Sequence, residues 1–162
     1  MLKIRKNVFE TNSSSTHSFS HSKDSYNNLY PEDDGFIYID LGEFGWGPDT
    51  HYDSETKLAY ALLVAAYLTD HSFWYFGDST WEEEYASFKE TDLFKKIEQA
   101  VIDYVPDCIG IRFNDNTEGY IDHQSLPYGS SFESWLREEV GVETVTDFVF
   151  GPIVVHVDND NH

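Results

Sequence analysis

Between Leu58 and Leu68 the chain reads "LAYALLVAAYL", eleven residues without a charge, a glycine or a proline. A helix that crosses a membrane needs about 20 such residues, so this run is a core helix. It is apolar on nearly every side, where a surface helix keeps one polar face. A helix of that kind has to be enclosed, and the rest of the fold must be arranged around it. Asp53 or Ser54, which follow the glycine- and proline-bearing loop "FGWGPDTHYD", can cap its first turn.

Around this helix, short alternating stretches read as strands and longer periodic ones as helices. "LKIRKNVF" alternates apolar and basic residues as a first strand does, and "GFIYIDLG" reads as a second. "HSFWYFGDS" is too aromatic for a solvent loop and reads as a short buried strand or a tight crossing. Thr80 with Glu83 forms a capping box for one long helix that carries Phe94, Ile97, Val101 and Tyr104 on a single stripe and stops at Pro106. "CIGIRF", the turn "NDNTEG" and "YIDHQS" predict a hairpin. Ser130 with Glu133 caps a short helix ending at Gly141. "ETVTDFVF" forms another that ends at Gly151, and "IVVHV" is the last strand. At 162 residues the expectation is a single domain over 1 to 162, of α+β or α/β class, with three to five helices packed on a mixed sheet.

Composition narrows the function classes. Aromatic residues make up 17% of the chain and hydrophobic ones 40%, enough for a bulky core, so the acidity does not imply disorder. Cys108 is the single cysteine, which excludes an intramolecular disulfide, and its position in "CIGIRF" suggests a buried strand thiol. The N-terminal "MLKIRKNVFE" carries charges with no apolar stretch behind them, so a cytoplasmic protein without a signal peptide or membrane contact is expected.

The formal charge is −20, from 30 Asp or Glu against 10 Lys or Arg. Residues 1 to 30 carry Lys3, Arg5, Lys6 and Lys23 against Glu10 and Asp24, or 4 − 2 = +2. The remainder carries 6 − 28 = −22. Direct nucleic-acid binding is not expected of such a surface, because phosphate contacts rest on Lys and Arg releasing counterions. A protein partner with a basic surface suits it instead.

Three polar clusters are candidate sites. The first is Asn12, Ser13, Ser14, Ser15, Thr16 and His17, a loop in the one part of the chain that is not acidic. Its small residues can turn several N–H groups and hydroxyls toward a phosphate or carboxylate, with Arg5 or Lys6 supplying charge. It reads equally well as a capped surface turn. No G-x-x-x-x-G-K-[ST] pattern is present, which excludes a P-loop. The second cluster is Asp122, His123, Gln124 and Ser125, and the third is His156, Asp158 and Asp160 near the end of the chain. Histidine and carboxylate two apart on a strand face the same way, as ligands of a divalent cation would. The EF-hand pattern fails at its twelfth position, Ser125, and no G-x-S-x-G elbow exists.

The opening "KIRKNVFETNSSSTHS" resembles that of a group of small, largely uncharacterised proteins from bacteriophages and Gram-positive mobile elements. Similar members carry stretches like "IDHQS" and an acidic "DNDN" near the end. The resemblance implies a provenance and no mechanism. It further implies that Asn12 to His17, Asp122 to Ser125 and Asp158 to Asn161 form one pocket.

Two functions are therefore expected to compete. In the first, the protein is a phage or mobile-element accessory factor that binds a host defence or nucleic-acid-handling protein. It acts as an acidic inhibitor or nucleic-acid mimic, with Glu82, Glu83, Glu84 and Glu90 as its partner face. In the second, it is a small-ligand or nucleotide-binding protein or a metal-assisted hydrolase. There the Ser-rich loop holds a phosphate-bearing small molecule, His17 or His123 serves as acid or base, and the His/Asp clusters hold the cation.

Overall fold

The computed structural model describes residues 15–45, 48–74, 76–122 and 131–159. Its strands are β1 (Ser15–His21), β2 (Phe36–Ile39), β3 (Glu43–Phe44), β4 (Asp49–His51), β5 (Gly110–Phe113), β6 (Tyr120–Ile121) and β7 (Ile153–Asn159). Its helices are α1 (Ser54–Leu68), α2 (Trp81–Lys89), α3 (Asp92–Tyr104), α4 (Phe132–Trp135) and α5 (Val145–Phe150). The class is α+β, with strands of both parallel and antiparallel pairing. The first strand expected from the sequence, "LKIRKNVF", lies outside the described residues.

Helix α1 is the axis of the molecule. Every residue from Lys57 to Ala66 is buried, as its all-round apolar character requires. Because its N-terminus is also enclosed, its first four N–H groups cannot turn to water and need partners inside the protein. Each has one. Ser54 N donates to Tyr26 O at 3.0 Å and Lys57 N to Asp53 O at 3.1 Å. Glu55 N donates to Asn28 Oδ1 at 2.8 Å, and Thr56 N to Asp53 Oδ2 at 3.0 Å. Asn28 Nδ2 in turn donates to Asp53 Oδ2 at 3.1 Å. Burial works against ionisation of Asp53, yet these donors from Thr56 and Asn28 hold its carboxyl below the usual range.

One layer over α1 is the antiparallel sheet β1-β7-β4. Another is a parallel ribbon, in which β2 pairs with β5 and β3 with β6. The hairpin expected over residues 108 to 125 is therefore not formed. Thr117 Oγ1 accepts from Leu41 N at 2.9 Å, and its carbonyl accepts from Trp81 Nε1 at 2.9 Å. These bonds pull the turn sideways, so β6 continues along β3 instead of folding back on β5. Gly119 makes the crossing over α1 feasible: a Cβ there would lie 2.5 Å from Leu41 Cβ and 2.9 Å from a Leu63 methyl.

The single long helix expected after Thr80 is two helices. The capping box on Thr80 and Glu83 is present. A second N-cap follows, with Thr91 Oγ1 accepting from Phe94 N at 3.1 Å, and it restarts the chain as α3. Phe94, Ile97 and Val101 face the core. Tyr104 does not, and instead stacks on Phe150 at 4.0 Å between centroids. The short helix α4 is capped by Ser131 rather than by Ser130, which lies outside the described residues. It widens into a π turn over Leu136–Val140 that ends at Gly141 in the left-handed region, φ 92°. Phe73 makes one bridge to Gly119, the tight crossing anticipated there. Cys108 is buried just ahead of β5. No described helix is long and apolar enough to cross a membrane.

Lys57 is the one buried cation among the described residues, 1% exposed. Its Nζ donates to Ile153 O at 2.8 Å and Gly151 O at 3.1 Å, tying α1 to the junction of α5 and β7. Desolvation lowers its pKa from 10.5 to about 8, with Asp53 opposing the shift.

Two outcomes follow from these contacts. Asn28→Ala removes the acceptor for Glu55 N and a donor to Asp53, and should cost about 2 kcal/mol, or roughly 5 °C in Tm; an unchanged melt would show that α1 does not depend on this cap. For Lys57 the folded pKa lies below the unfolded one, so the folded state binds fewer protons between about pH 8 and 10.5. Stability should therefore rise with pH through that window, by about 3 kcal/mol. Lys57→Met should abolish that rise in denaturant titrations while still folding, because Gly151 O keeps Ile153 N and Ile153 O keeps Ser25 Oγ.

Candidate functional site

The register of β1 against β7 decides which of the anticipated site residues meet. His17 stands opposite Val157 and Phe19 opposite Val155, and both valines are buried. Thr16, Ser18 and Ser20 are exposed on the other face, alongside His156 and Asp158. Residues 15 to 17 are thus the start of a strand and form neither the loop cradle nor the capped turn expected of them. Arg5, Asn12, Ser13 and Ser14 lie outside the described residues, as do His123, Gln124, Ser125 and Asp160. Of Ser15 only the backbone is described.

The inner face holds a buried polar cluster. His17 Nδ1 and the Tyr60 hydroxyl share a hydrogen bond of 2.6 Å, and Tyr60 is 1% exposed. Aromatic rings enclose that tyrosine: Phe44 at 5.0 Å, Phe19 at 5.8 Å and, stacked, Trp135 at 6.1 Å. Asp122, at the end of β6, is buried, and its N–H donates to Phe44 O at 2.9 Å. Its charge raises the pKa of His17, but burial outweighs it and lowers that pKa from 6.5 to about 4. Burial pushes the Tyr60 hydroxyl upward, and Glu139 and Asp122 act in the same direction. At neutral pH the pair is a neutral imidazole bonded to an un-ionised phenol. Acid–base catalysis favours a pKa near the working pH, and this imidazole is tuned away from it.

The outer face presents a different pair. Ser20 Oγ and His156 Nε2 lie 2.7 Å apart, with Asp158 two residues further along the same face of β7. A hydroxyl bonded to an imidazole is the beginning of a nucleophile–base arrangement. Here it lies open on a sheet surface, where such cross-strand pairs contribute about 0.2–1 kcal/mol. Among the described residues, no group of three or more His, Cys, Asp and Glu side chains is placed to hold a metal ion. Among the described members of the three clusters, His17 and Asp122 lie on the inner side of the sheet, while Thr16, His156 and Asp158 point the other way.

Three of the four glutamates anticipated as a partner face are engaged within the molecule. Glu83 Oε1 accepts from Thr80 N at 3.0 Å, Glu84 Oε1 from Ser72 N at 3.2 Å, and Glu90 pairs with Lys95 at 3.6 Å. Glu82 sits exposed in the first turn of α2, where its charge suits the helix dipole.

Sequence reasoning missed a groove beside α3. Lys96, Gln99, Ala100 and Asp103 follow one another at i, i+3, i+4 and i+7 on α3, beside its core stripe, and form one wall of a groove of about 510 Å³. Phe132, Glu133 and Leu136 form the facing wall, and Glu143 to Thr146 close one end. The helical spacing was visible in the sequence. What was missing is that α4 and α5, some 30 to 50 residues away, leave this stripe uncovered.

The inner cluster makes stability depend on acid. Because the folded pKa of His17 lies below its unfolded value, the stability is fully present above pH 6.5 and is lost as pH falls toward 4. The loss should reach at most about 3 kcal/mol. In acid titrations followed by near-ultraviolet circular dichroism, His17→Gln should show a shallower decline than the wild type over that window; parallel curves would mean that the imidazole is not buried in its neutral form.

Comparison with known protein families, with curated proteins and with solved structures finds no match to this chain.

Proposed function

We propose that this chain is an acidic binding protein: an accessory factor of a phage or mobile element, acting in the host cytoplasm, whose carboxylates engage the basic surface of a host protein that handles nucleic acid or serves defence. Charge is the observation that carries this reading. Residues 31 to 162 hold 28 acids against 6 bases, and half of those bases are withdrawn from the surface or neutralised. Lys57 is buried, Lys95 is held by Glu90, and Lys96 is held by Glu133 at 2.5 Å. A surface left so negative raises the association rate of a basic partner and repels nucleic acid. It can also compete with phosphates for the same Lys and Arg side chains, which is how such a protein inhibits.

The small-ligand and hydrolase reading draws less support. Thr16 and His17 are strand residues, and His17 is committed to Tyr60 in a form poorly matched to acid–base work. The Ser20–His156 pair is its best remaining support.

The test is capture from lysate of a Gram-positive host on the immobilised protein, with elution by a salt gradient. An unrelated protein of matched net charge serves as the reference. At least one host protein with a basic surface should be retained selectively and elute with salt, since surface attraction is screened beyond about 8–10 Å at physiological ionic strength. Adding this protein should then displace nucleic acid from that partner. Equal retention on the matched reference would reduce the charge to a solubility device.

A further inference from the structure

We infer that the groove between α3, α4 and the start of α5 is the docking site for an amphipathic helix carrying lysine and arginine, supplied by the partner. This inference rests on the acidic-binding reading and gives it a place and a partner chemistry.

The floor of the groove is apolar. Ile97, Phe132, Leu136 and Val145 are buried beneath it, and Ala100 contributes a small side chain midway along the α3 wall. Its volume of about 510 Å³ lies within the roughly 300–1,000 Å³ of ordinary ligand sites. A second hollow of about 390 Å³ adjoins it and shares Lys96, Phe132 and Glu133, so the depression runs on toward the first turn of α3. An elongated apolar trough between helices suits the helix-in-groove mode, in which side chains at i, i+3, i+4 and i+7 of the incoming helix anchor it. None of the residues that line it belongs to a described strand, so it offers no strand pairing among the described residues.

The rim specifies the charge of the occupant. Lys96 is neutralised by Glu133 across the trough, and Arg137 also acts on that glutamate. Asp103 and Glu143 are exposed on either side, with no cation paired to them among the described residues, and Asp92 lies at the adjoining hollow. The excess is negative around an apolar floor, complementary to a helix with apolar anchors flanked by Lys or Arg. An acidic helix, or a second copy of a chain carrying −20, would be repelled.

The probe is a fluorescein-labelled synthetic peptide of about four helical turns, with leucines at the anchor spacing and lysines on the flanks. A version with glutamates in place of the lysines serves as the control. Fluorescence anisotropy is measured with the wild-type protein, with the rim variant Asp103→Lys/Glu143→Lys, and with Ala100→Trp, which fills the floor. The wild type should bind the basic peptide and not the acidic one. The rim variant should weaken binding by about tenfold, or about 1.4 kcal/mol for the two exposed reversals together; Ala100→Trp should weaken it further.

If Ala100→Trp fails to fold, the rim variant, altered only at exposed positions, decides alone. Affinity within about twofold of wild type in the rim variant and in any folded Ala100→Trp protein would overturn the groove while leaving the acidic-binding reading intact. Absence of any basic-peptide binding at low salt would overturn both. A wild-type dimer in sedimentation that Ala100→Trp abolishes would reassign the groove to self-association and overturn the inference.

Discussion

The constraint on which everything else depends is a helix that no side of the molecule can leave uncovered. An α-helix with one polar face can dock its apolar stripe and leave its ends in water. Helix α1 can do neither, because Lys57 to Ala66 are all buried. Its first-turn backbone donors therefore call up the polar segment Tyr26 to Asn28, whose Tyr26 carbonyl and Asn28 side-chain oxygen accept from Ser54 and Glu55 N–H. Its flanks call up two separate strand systems, the antiparallel sheet through Tyr60 and the parallel ribbon through Leu63 and Gly119. The same enclosure explains why Lys57 is tolerated. An ammonium held by two carbonyls costs desolvation, but it fastens the middle of the chain to the α5–β7 junction, where an apolar side chain would offer no directional contact.

The buried His17–Tyr60 pair follows from that geometry. Tyr60 occurs within the apolar run and must be buried with it, and a buried phenol needs a hydrogen-bond partner. The strand that covers α1 at this point presents His17, whose neutral ring meets that need. The cluster looks like chemistry in the abstract, with histidine, tyrosine and a nearby carboxylate. The direction of the histidine shift argues that it is core architecture: the charged form is the one this environment rejects.

What the sequence disclosed and what it hid divide along the range of the interaction. Local signals were reliable. The apolar run of α1, the Asp53 cap, the Thr80–Glu83 box and the glycines that end two helices are each decided within a few residues, and each stands in the structure. Thr91 was an equally local cap that was overlooked, which fused α2 with α3. Distant pairing was hidden. The serines before His17 have weak strand preference, yet β7 supplies a complete antiparallel partner to the segment that begins at Ser15. The Asx-rich turn at 114 to 119 carries a hairpin signature, and only the bonds from Thr117 to Leu41 and Trp81 convert it into a parallel continuation. For the site, alternation along β1 and β7 was readable and separates His17 from Thr16. That Asp122 would lie beside His17, and that the α3 stripe would remain uncovered, depended on contacts spanning 30 to 100 residues.

The acidity makes no such contribution to the fold. Its carboxylates repel one another, which destabilises a compact state, and the caps account for only a few of them: Asp53 on α1 and Glu83 on α2 are structural. Solubility asks for a net charge of roughly 2 to 8 in a small domain, far short of −20. The excess is therefore larger than either folding or dispersal requires. The placement of the cations sharpens the point. With Lys57 buried and Lys95 and Lys96 matched to glutamates, only Lys89, Arg112 and Arg137 of the six bases in residues 31 to 162 remain at the surface to offset the other carboxylates. Under the proposed reading that excess serves a partner, and the apolar trough beside α3 is where the charge would border a feature able to turn attraction into specific binding.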